Sequence, residues 1–153
     1  MKIALAQINT TVGDFAGNLA RLREAYAEGS AAGAEMVVAP ELAITGYPPR
    51  DLLLKSGFIE CNLAALNELV GHVGAAALVV GHVGPNEKQP GRVATNAVSL
   101  IQDGEIVATR TKTLLPTYDV FDEDRYFEPA TDNAPVEVNG RRIGLTICED
   151  VWN

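Results

Sequence analysis

The chain has 153 residues, 47% of them apolar and 21% charged, the proportions of an ordinary globular domain, which excludes fibrous, collagen-like and wholly disordered classes. At this length roughly 70% of the unfolded surface can be buried, so a core forms without metal or disulfide staples. Twelve basic against twenty acidic residues give a formal charge of −8, which opposes phosphate backbones and anionic lipid headgroups and argues against nucleic acid or a membrane as partner.

Lys2 to Ile8 alternates weakly among β-compatible residues and predicts a first strand; it is too short and too polar for a secretory signal, and no run approaches the length of a spanning helix. After the Val12-Gly13-Asp14 turn, Leu19, Leu22 and Tyr26 recur at helical spacing, with Gly33 at the expected stop. Glu35 to Ala39 is a short apolar strand of the kind buried on both faces, ended by Pro40, so Glu41 emerges at a strand's C-terminal end. A Gly- and Pro-rich loop, Thr45 to Pro49, precedes a second helix on which Ile59, Leu63, Leu66, Val70 and Val73 draw one apolar stripe, with Gly74 as its stop. Ala77 to Val83 reads as a third strand.

Thr95–Ile101 and Glu105–Thr111 flank Asp103-Gly104, and Val136–Val138 and Ile143–Ile147 flank Asn139-Gly140, so two antiparallel hairpins follow the βαβαβ unit. Ile143 to Ile147 reads as a central, buried strand leading to Cys148. Between the hairpins, Arg110 to Asn133 has neither period over about two dozen residues, which marks a functional loop; Leu114, Leu115, Tyr118, Val120, Phe121, Tyr126 and Phe127 are too much apolar surface to leave in water. The two cysteines, Cys61 and Cys148, lack short-spaced Cys or His companions, so neither a disulfide framework nor a metal site is expected, and a reducing cytoplasm fits.

Glu41, Lys112 and Cys148 are placed at exposed strand ends. Cysteine attacks as the thiolate and needs a base; a carboxylate serves when its surroundings favour proton uptake. The oxyanion formed at an amide carbonyl would be held by a lysine ammonium and a backbone N–H, here Lys112 and the Glu149 amide. From residue type alone, Glu41 reads as a solvated or capping carboxylate, Lys112 as a surface charge and Cys148 as a small buried hydrophobe. A Cys-His pairing would need His72 or His82, which sit on the second helix and within a strand and are better explained structurally.

The segments A-P-E-L-A-I-T-G-Y-P-P-R-D-L-L, T-K-T-L-L-P-T-Y-D-V-F-D-E-D-R-Y-F and G-L-T-I-C-E-D-V-W-N resemble the Glu, Lys and Cys motifs of the nitrilase (carbon-nitrogen hydrolase) superfamily. More closely, Y-P-P-R-D-L-L and L-P-T-Y-D-V-F-D-E-D-R-Y-F resemble the glutamine amidotransferase domain of glutamine-dependent NAD synthetases. The resemblance runs the length of the chain. It implies an α/β fold, a nitrilase-type α-β-β-α sandwich of which residues 1–153 are the N-terminal portion only, about half. With Ile143–Ile147 read as a central strand without its later partners, an edge is left open, and the isolated chain is expected to be inactive and either to aggregate or to depend on a longer chain or a partner.

The resemblance also assigns Glu41 as general base, Lys112 as oxyanion-stabilising lysine and Cys148 as nucleophile. Glu123 matches the glutamate that supports the lysine, and would otherwise be a solvated acid. Tyr118 matches a tyrosine lining the glutamine pocket, or is mere packing; Glu149 matches the reader of the substrate's α-amino group and Trp152 the pocket wall. It further implies ammonia for ATP-dependent amidation of nicotinic acid adenine dinucleotide to NAD, no metal or cofactor for the amidase part, and ATP and Mg in a synthetase domain whose phosphate-cradling string this sequence lacks. Glutamine and the ammonia-receiving synthetase domain are the implied partners, in a cytoplasmic homo-oligomer at full length. A stand-alone amidase on another small amide, and a catalytically silent fragment or interaction module, remain the alternatives.

Overall fold

The computed structural model describes residues 1–88 and 90–152; Gln89 and Asn153, both inside the domain read over 1–153, lie outside the described residues. The elements in chain order are β1 (Ile3–Leu5), α1 (Phe15–Ala31), β2 (Met36–Val38), α2 (Phe58–Val70), β3 (Ala77–Pro85), β4 (Ala94–Gln102), β5 (Glu105–Thr111), β6 (Val136–Val138) and β7 (Arg141–Ile143). Strands β1 to β5 form one sheet in sequence order, the first three parallel and the last two antiparallel, while β6 and β7 pair only with each other. This is the mixed α/β layering expected. Strands β1 and β2 are shorter than predicted, although Ala6 N–H still donates to Val38 O and Ala39 N–H to Val79 O, each at 2.8 Å.

Alternation along the strands separates two apolar layers. Val37, Leu78 and Val80 face α1 and α2, where they meet Leu19, Leu22, Tyr26, Leu66 and Leu69. Met36, Ala77, Val79, Val98 and Leu100 face the opposite side and are covered by Val136, Val138, Leu145 and Ile147. Helix α1 starts where Asp14 accepts a hydrogen bond from Gly17 N–H at 2.9 Å, an N-cap that satisfies one orphan donor of the first turn.

Helix α2 departs from its predicted stripe. Its buried line is Phe58, Asn62, Ala65, Leu66 and Leu69, with Ile59, Leu63 and Val70 half-buried at the margin. The face is turned because Asn62 is needed inside: its side chain accepts from Val83 N–H at 3.1 Å and donates to Val83 O. Asn62→Ala strands the Val83 N–H away from water and leaves Val83 O to the His82 ring alone, and the expected loss is about 1–3 kcal/mol by urea denaturation; a loss within about 0.5 kcal/mol, the scale of a neutral surface change, would mean that the end of β3 is solvated. His72 lies beyond α2 in a turn rather than on the helix, its ring against Glu68 O at 2.8 Å.

The Asp103-Gly104 and Asn139-Gly140 turns have positive φ at both central residues (50° and 75°, 50° and 71°), the geometry a two-residue hairpin requires. The second hairpin corrects one expectation. Strand β7 ends at Ile143, and residues 144–147 form no ladder; Leu145 and Ile147 are buried against the sheet while Gly144 and Thr146 are exposed. The alternation reported burial on one face, not a central strand. In the long loop, Arg110 and Thr111 belong to β5. Tyr126 and Phe127 are buried as expected, with Leu42, Leu53, Phe58, Val83 and Ala94. Tyr118 and Val120 stay exposed. Among the described residues no helix is long and apolar enough to cross a membrane.

Candidate active site

Glu41 follows β2 directly, in a turn closed by Gly46 N–H on Leu42 O at 2.8 Å and bent at Leu42, whose φ is 48°. The turn crosses β3 at Gly81. A Cβ there would come within 2.4 Å of Leu42 N and 2.6 Å of Pro40 O, so a side chain at this position would push Glu41 out of place.

Lys112 follows β5 and is tied on both sides, its N–H to Asn96 O at 2.8 Å and its carbonyl to Ala130 N–H at 3.0 Å. It is not at an exposed strand end: its side chain is 0% exposed. A buried ammonium is tolerable only with close anionic partners. Nζ donates to Glu41 Oε1 at 2.8 Å and to Glu123 Oε1 and Oε2 at 3.0 and 2.9 Å. Burial alone would lower the lysine's pKa, but the hydrogen bonds and charges of Glu41 and Glu123 outweigh it and the balance is a rise. Glu123, 4% exposed, is held above the usual carboxylate range by burial and by repulsion from Glu41, against the pull of Lys112 and Tyr47. The two acids make Lys112 hold its proton more readily, while Glu123 is raised first by burial.

Cys148 opens a single helical turn, Cys148–Val151, rather than ending a strand, and its backbone is in the left-handed region with φ 44°. For a non-glycine residue that conformation is strained, and such strain gathers at functional positions. Its thiol is free and exposed, as is that of Cys61 on α2. Partial burial and the charge of Glu41 push the Cys148 thiol up, while Lys112 pulls it down. At neutral pH it is therefore more fully protonated than an ordinary cysteine.

Asp150 joins the lysine segment to the cysteine segment. Its Oδ1 accepts from Thr113 N–H and Oγ1 at 2.9 and 2.7 Å and from Leu114 N–H at 2.9 Å, and its Oδ2 accepts from Ile147 N–H at 3.0 Å. Burial works against its charge, yet these bonds hold its carboxyl below the usual range. Tyr118 Oη donates to Glu149 Oε2 at 3.0 Å, which raises the phenol's pKa, so two predicted pocket residues meet directly. Trp152 is 76% exposed.

Sequence reasoning gave no role to Asp150, to Asn96, whose Nδ2 reaches Glu41 and Glu123, or to Tyr47, whose hydroxyl donates to Glu123 Oε1 at 2.9 Å. An asparagine inside an apolar strand pattern was the available signal for Asn96. His82, considered for a Cys-His pair, is buried in β3 with its ring on Val83 O and Ser99 Oγ. A cavity of about 450 Å³ adjoins the cluster at Tyr47 and Glu123, and Arg50, Asp51 and Tyr126 complete much of its wall. Among the described residues no group of three His, Cys, Asp or Glu side chains could hold a metal ion.

The carbon-nitrogen hydrolase family pattern matches residues 2–153. The chain belongs to the carbon-nitrogen hydrolase family. Within that family it is similar to the glutamine-dependent NAD(+) synthetase of Synechocystis sp., at 43% identity over 99% of this chain and 28% of the synthetase. The solved structure of glutamine-dependent NAD+ synthetase from Acinetobacter baumannii in complex with ADP superposes with a TM-score of 0.88 at 31% identity, covering 98% of this chain and 28% of that one. A carbon-nitrogen hydrolase outside the synthetases is also close in fold. It is an amidase variant from Nesterenkonia sp. AN1 carrying the acetamide moiety of fluoroacetamide covalently at its active site cysteine (TM-score 0.82, 29% identity, 99% of this chain and 56% of that one). The chain spans little more than a quarter of the length of the synthetases it matches.

Proposed function

We propose that the chain supplies the catalytic residues of an amidase part that hydrolyses the side-chain amide of glutamine through a cysteine thioester, and that the ammonia feeds ATP-dependent amidation of nicotinic acid adenine dinucleotide to NAD in a synthetase part. The observation that carries this reading is the buried Lys112 shared by Glu41 and Glu123, with the Cys148 thiol in the same electrostatic field. As Sγ attacks the amide carbon, the thiol proton passes to Glu41. The carbonyl oxygen becomes an oxyanion held by Lys112 and the Glu149 N–H. One lysine N–H serves the two oxygens of Glu123, a second serves Glu41, and the third is left for the oxyanion. When the C–N bond breaks, the nitrogen takes the proton from Glu41 and leaves as ammonia. Water then gives a proton to Glu41 and its hydroxyl to the acyl carbon; the C–S bond breaks, and Cys148 recovers the proton as glutamate departs.

In the same proposal the substrate's α-ammonium binds Glu149 beside Tyr118, and Trp152 folds over as a wall. ATP and Mg would act in the synthetase part, on none of these residues. A cytoplasmic setting suits a nucleophile that must stay reduced, and assembly as a homo-oligomer is proposed from the family resemblance. The likeness to the Nesterenkonia amidase favours a second reading, hydrolysis of another small amide. Faster turnover of acetamide than of glutamine would select it.

Glu41→Gln separates the base from its field. Glutamate release should fall at least about a hundredfold, because the amide accepts no proton in either half-reaction. Alkylation of Cys148 by iodoacetamide, followed by intact mass in a Cys61→Ser background, should nevertheless show its midpoint at lower pH, because a like charge that raises the thiol has gone. Wild-type turnover, or a midpoint moved upward, would contradict the assignment.

A further inference from the structure

Asn96 is fully buried in β4, in register with Val83 of β3. Its main chain and side chain serve the same cluster: its carbonyl accepts the Lys112 N–H at 2.8 Å, and its Nδ2 donates to Glu41 Oε1 at 2.7 Å and to Glu123 Oε2 at 3.3 Å. The other end of the amide is in the opposite state. Oδ1 is buried and has no hydrogen-bond partner among the described residues. An orphaned buried acceptor is a standing cost, and an apolar β-former at this strand position would avoid it. The residue is therefore held for its two N–H hydrogens. Few alternatives could replace them: serine and threonine have a single donor, lysine and arginine add a charge that would neutralise the carboxylates, and aspartate repels them.

With Asn96 in place the two oxygens of Glu41 differ. Oε1 is occupied twice, by Lys112 Nζ at 2.8 Å and by Asn96 Nδ2 at 2.7 Å, whereas Oε2 accepts no hydrogen bond among the described residues. We propose that Asn96 is a positioning residue for Glu41, pinning Oε1 so that Oε2 is the oxygen that takes the Cys148 proton, delivers it to the departing nitrogen and takes the next one from water. This rests on the reading of Glu41 as the base. The proton's path is unchanged from that mechanism; only the atom that carries it is fixed. Lysine alone cannot do this, because Nζ is shared with Glu123, and a single contact leaves the carboxylate free to rotate about it.

Hydrogen bonds to a carboxylate favour its ionised form, so removing Asn96 has a signature that loss of packing lacks. The charged and titratable groups around Glu41 are Lys112, Glu123, Cys148 and, through Glu123, Tyr47; Asn96→Ala leaves all four side chains in place and removes, besides the bond to Glu41, only the 3.3 Å bond to Glu123, whereas Asn96→Asp adds one carboxyl to the cluster. The experiment is steady-state glutamate release from glutamine over a range of pH for the wild type, Asn96→Ala and Asn96→Asp, with Glu41→Gln and thermal melts in parallel. Asn96→Ala should lower kcat at least about tenfold with KM within about twofold, and should move the acid limb of kcat to higher pH. Asn96→Asp keeps the side chain's shape, so it serves if the alanine variant does not fold; it should lose more rate and shift the limb further. Wild-type kcat and an unmoved acid limb in both variants, beside a Glu41→Gln protein that is inactive, would overturn the role of Asn96 and leave the base standing. A loss expressed in KM alone would overturn it as well. An active Glu41→Gln protein would instead remove the base, and this proposal with it.

Discussion

Cys148→Ala should reduce glutamate release from glutamine to background, since the thiolate forms the one covalent bond between protein and substrate in the proposed pathway and no neighbouring group replaces it. In a protein that carries a synthetase part, NAD formation from added ammonia should continue, because the thiol is used only to cleave the amide. The fold should tolerate the change. Cys148 is exposed, so truncation leaves no cavity, and the expected stability change is within about 0.5 kcal/mol. Cys148→Gly is the informative companion: at φ 44° glycine relieves backbone strain, and the variant should be more stable than Cys148→Ala by up to about 1 kcal/mol while equally inactive. A rate loss without change in stability places Cys148 in the chemistry. Turnover persisting in Cys148→Ala would remove it, and Cys61→Ser should keep full activity in the same assay.

The parts of the fold set by local chemistry were legible in the sequence. Asp103-Gly104 and Asn139-Gly140 require positive φ at both turn positions and adopt it, and Gly33, expected as the stop of α1, lies just past its last turn with φ 77°. Glu41 could be placed because Pro40 stops β2. What escaped was long-range pairing of polar groups. A lysine after T-R-T looks like a surface charge until Glu41 and Glu123, 71 and 11 positions away, are folded onto it. Asn62 and Asn96 interrupt apolar patterns and received no role from spacing, yet each is buried to satisfy groups contributed by other elements. Ile143–Ile147 failed in a related way, because alternation predicts which side chains are buried and says nothing of whether a neighbouring backbone pairs with them. The side chains that hold the cluster in place were the least visible, since their signal lies in partners rather than in spacing.

Lys112→Met should be the most damaging single change for rate and fold together. Loss of one preorganised oxyanion donor costs about a hundredfold to a thousandfold. The structural loss is separate: Glu41 and Glu123 then face each other without a cation, and removing one partner of a buried pair costs about 3–5 kcal/mol. The sign of its pH dependence follows. Without Lys112 the folded carboxylates bind protons more tightly than in the unfolded chain, so the folded state carries more protons and stability falls as pH rises through the raised folded values. The deficit against wild type in urea should therefore be largest at neutral pH and shrink under mild acid. A deficit constant with pH would make the loss one of packing rather than charge, and an unchanged rate would make the lysine structural. The thiol supplies an independent check. Lys112 pulls the Cys148 pKa down and Glu41 pushes it up, so the alkylation midpoint should move to higher pH in Lys112→Met and to lower pH in Glu41→Gln. Opposite shifts from two variants that both abolish turnover would tie the three side chains to one electrostatic site; shifts of the same sign would mean that the thiol responds to general loosening of the fold.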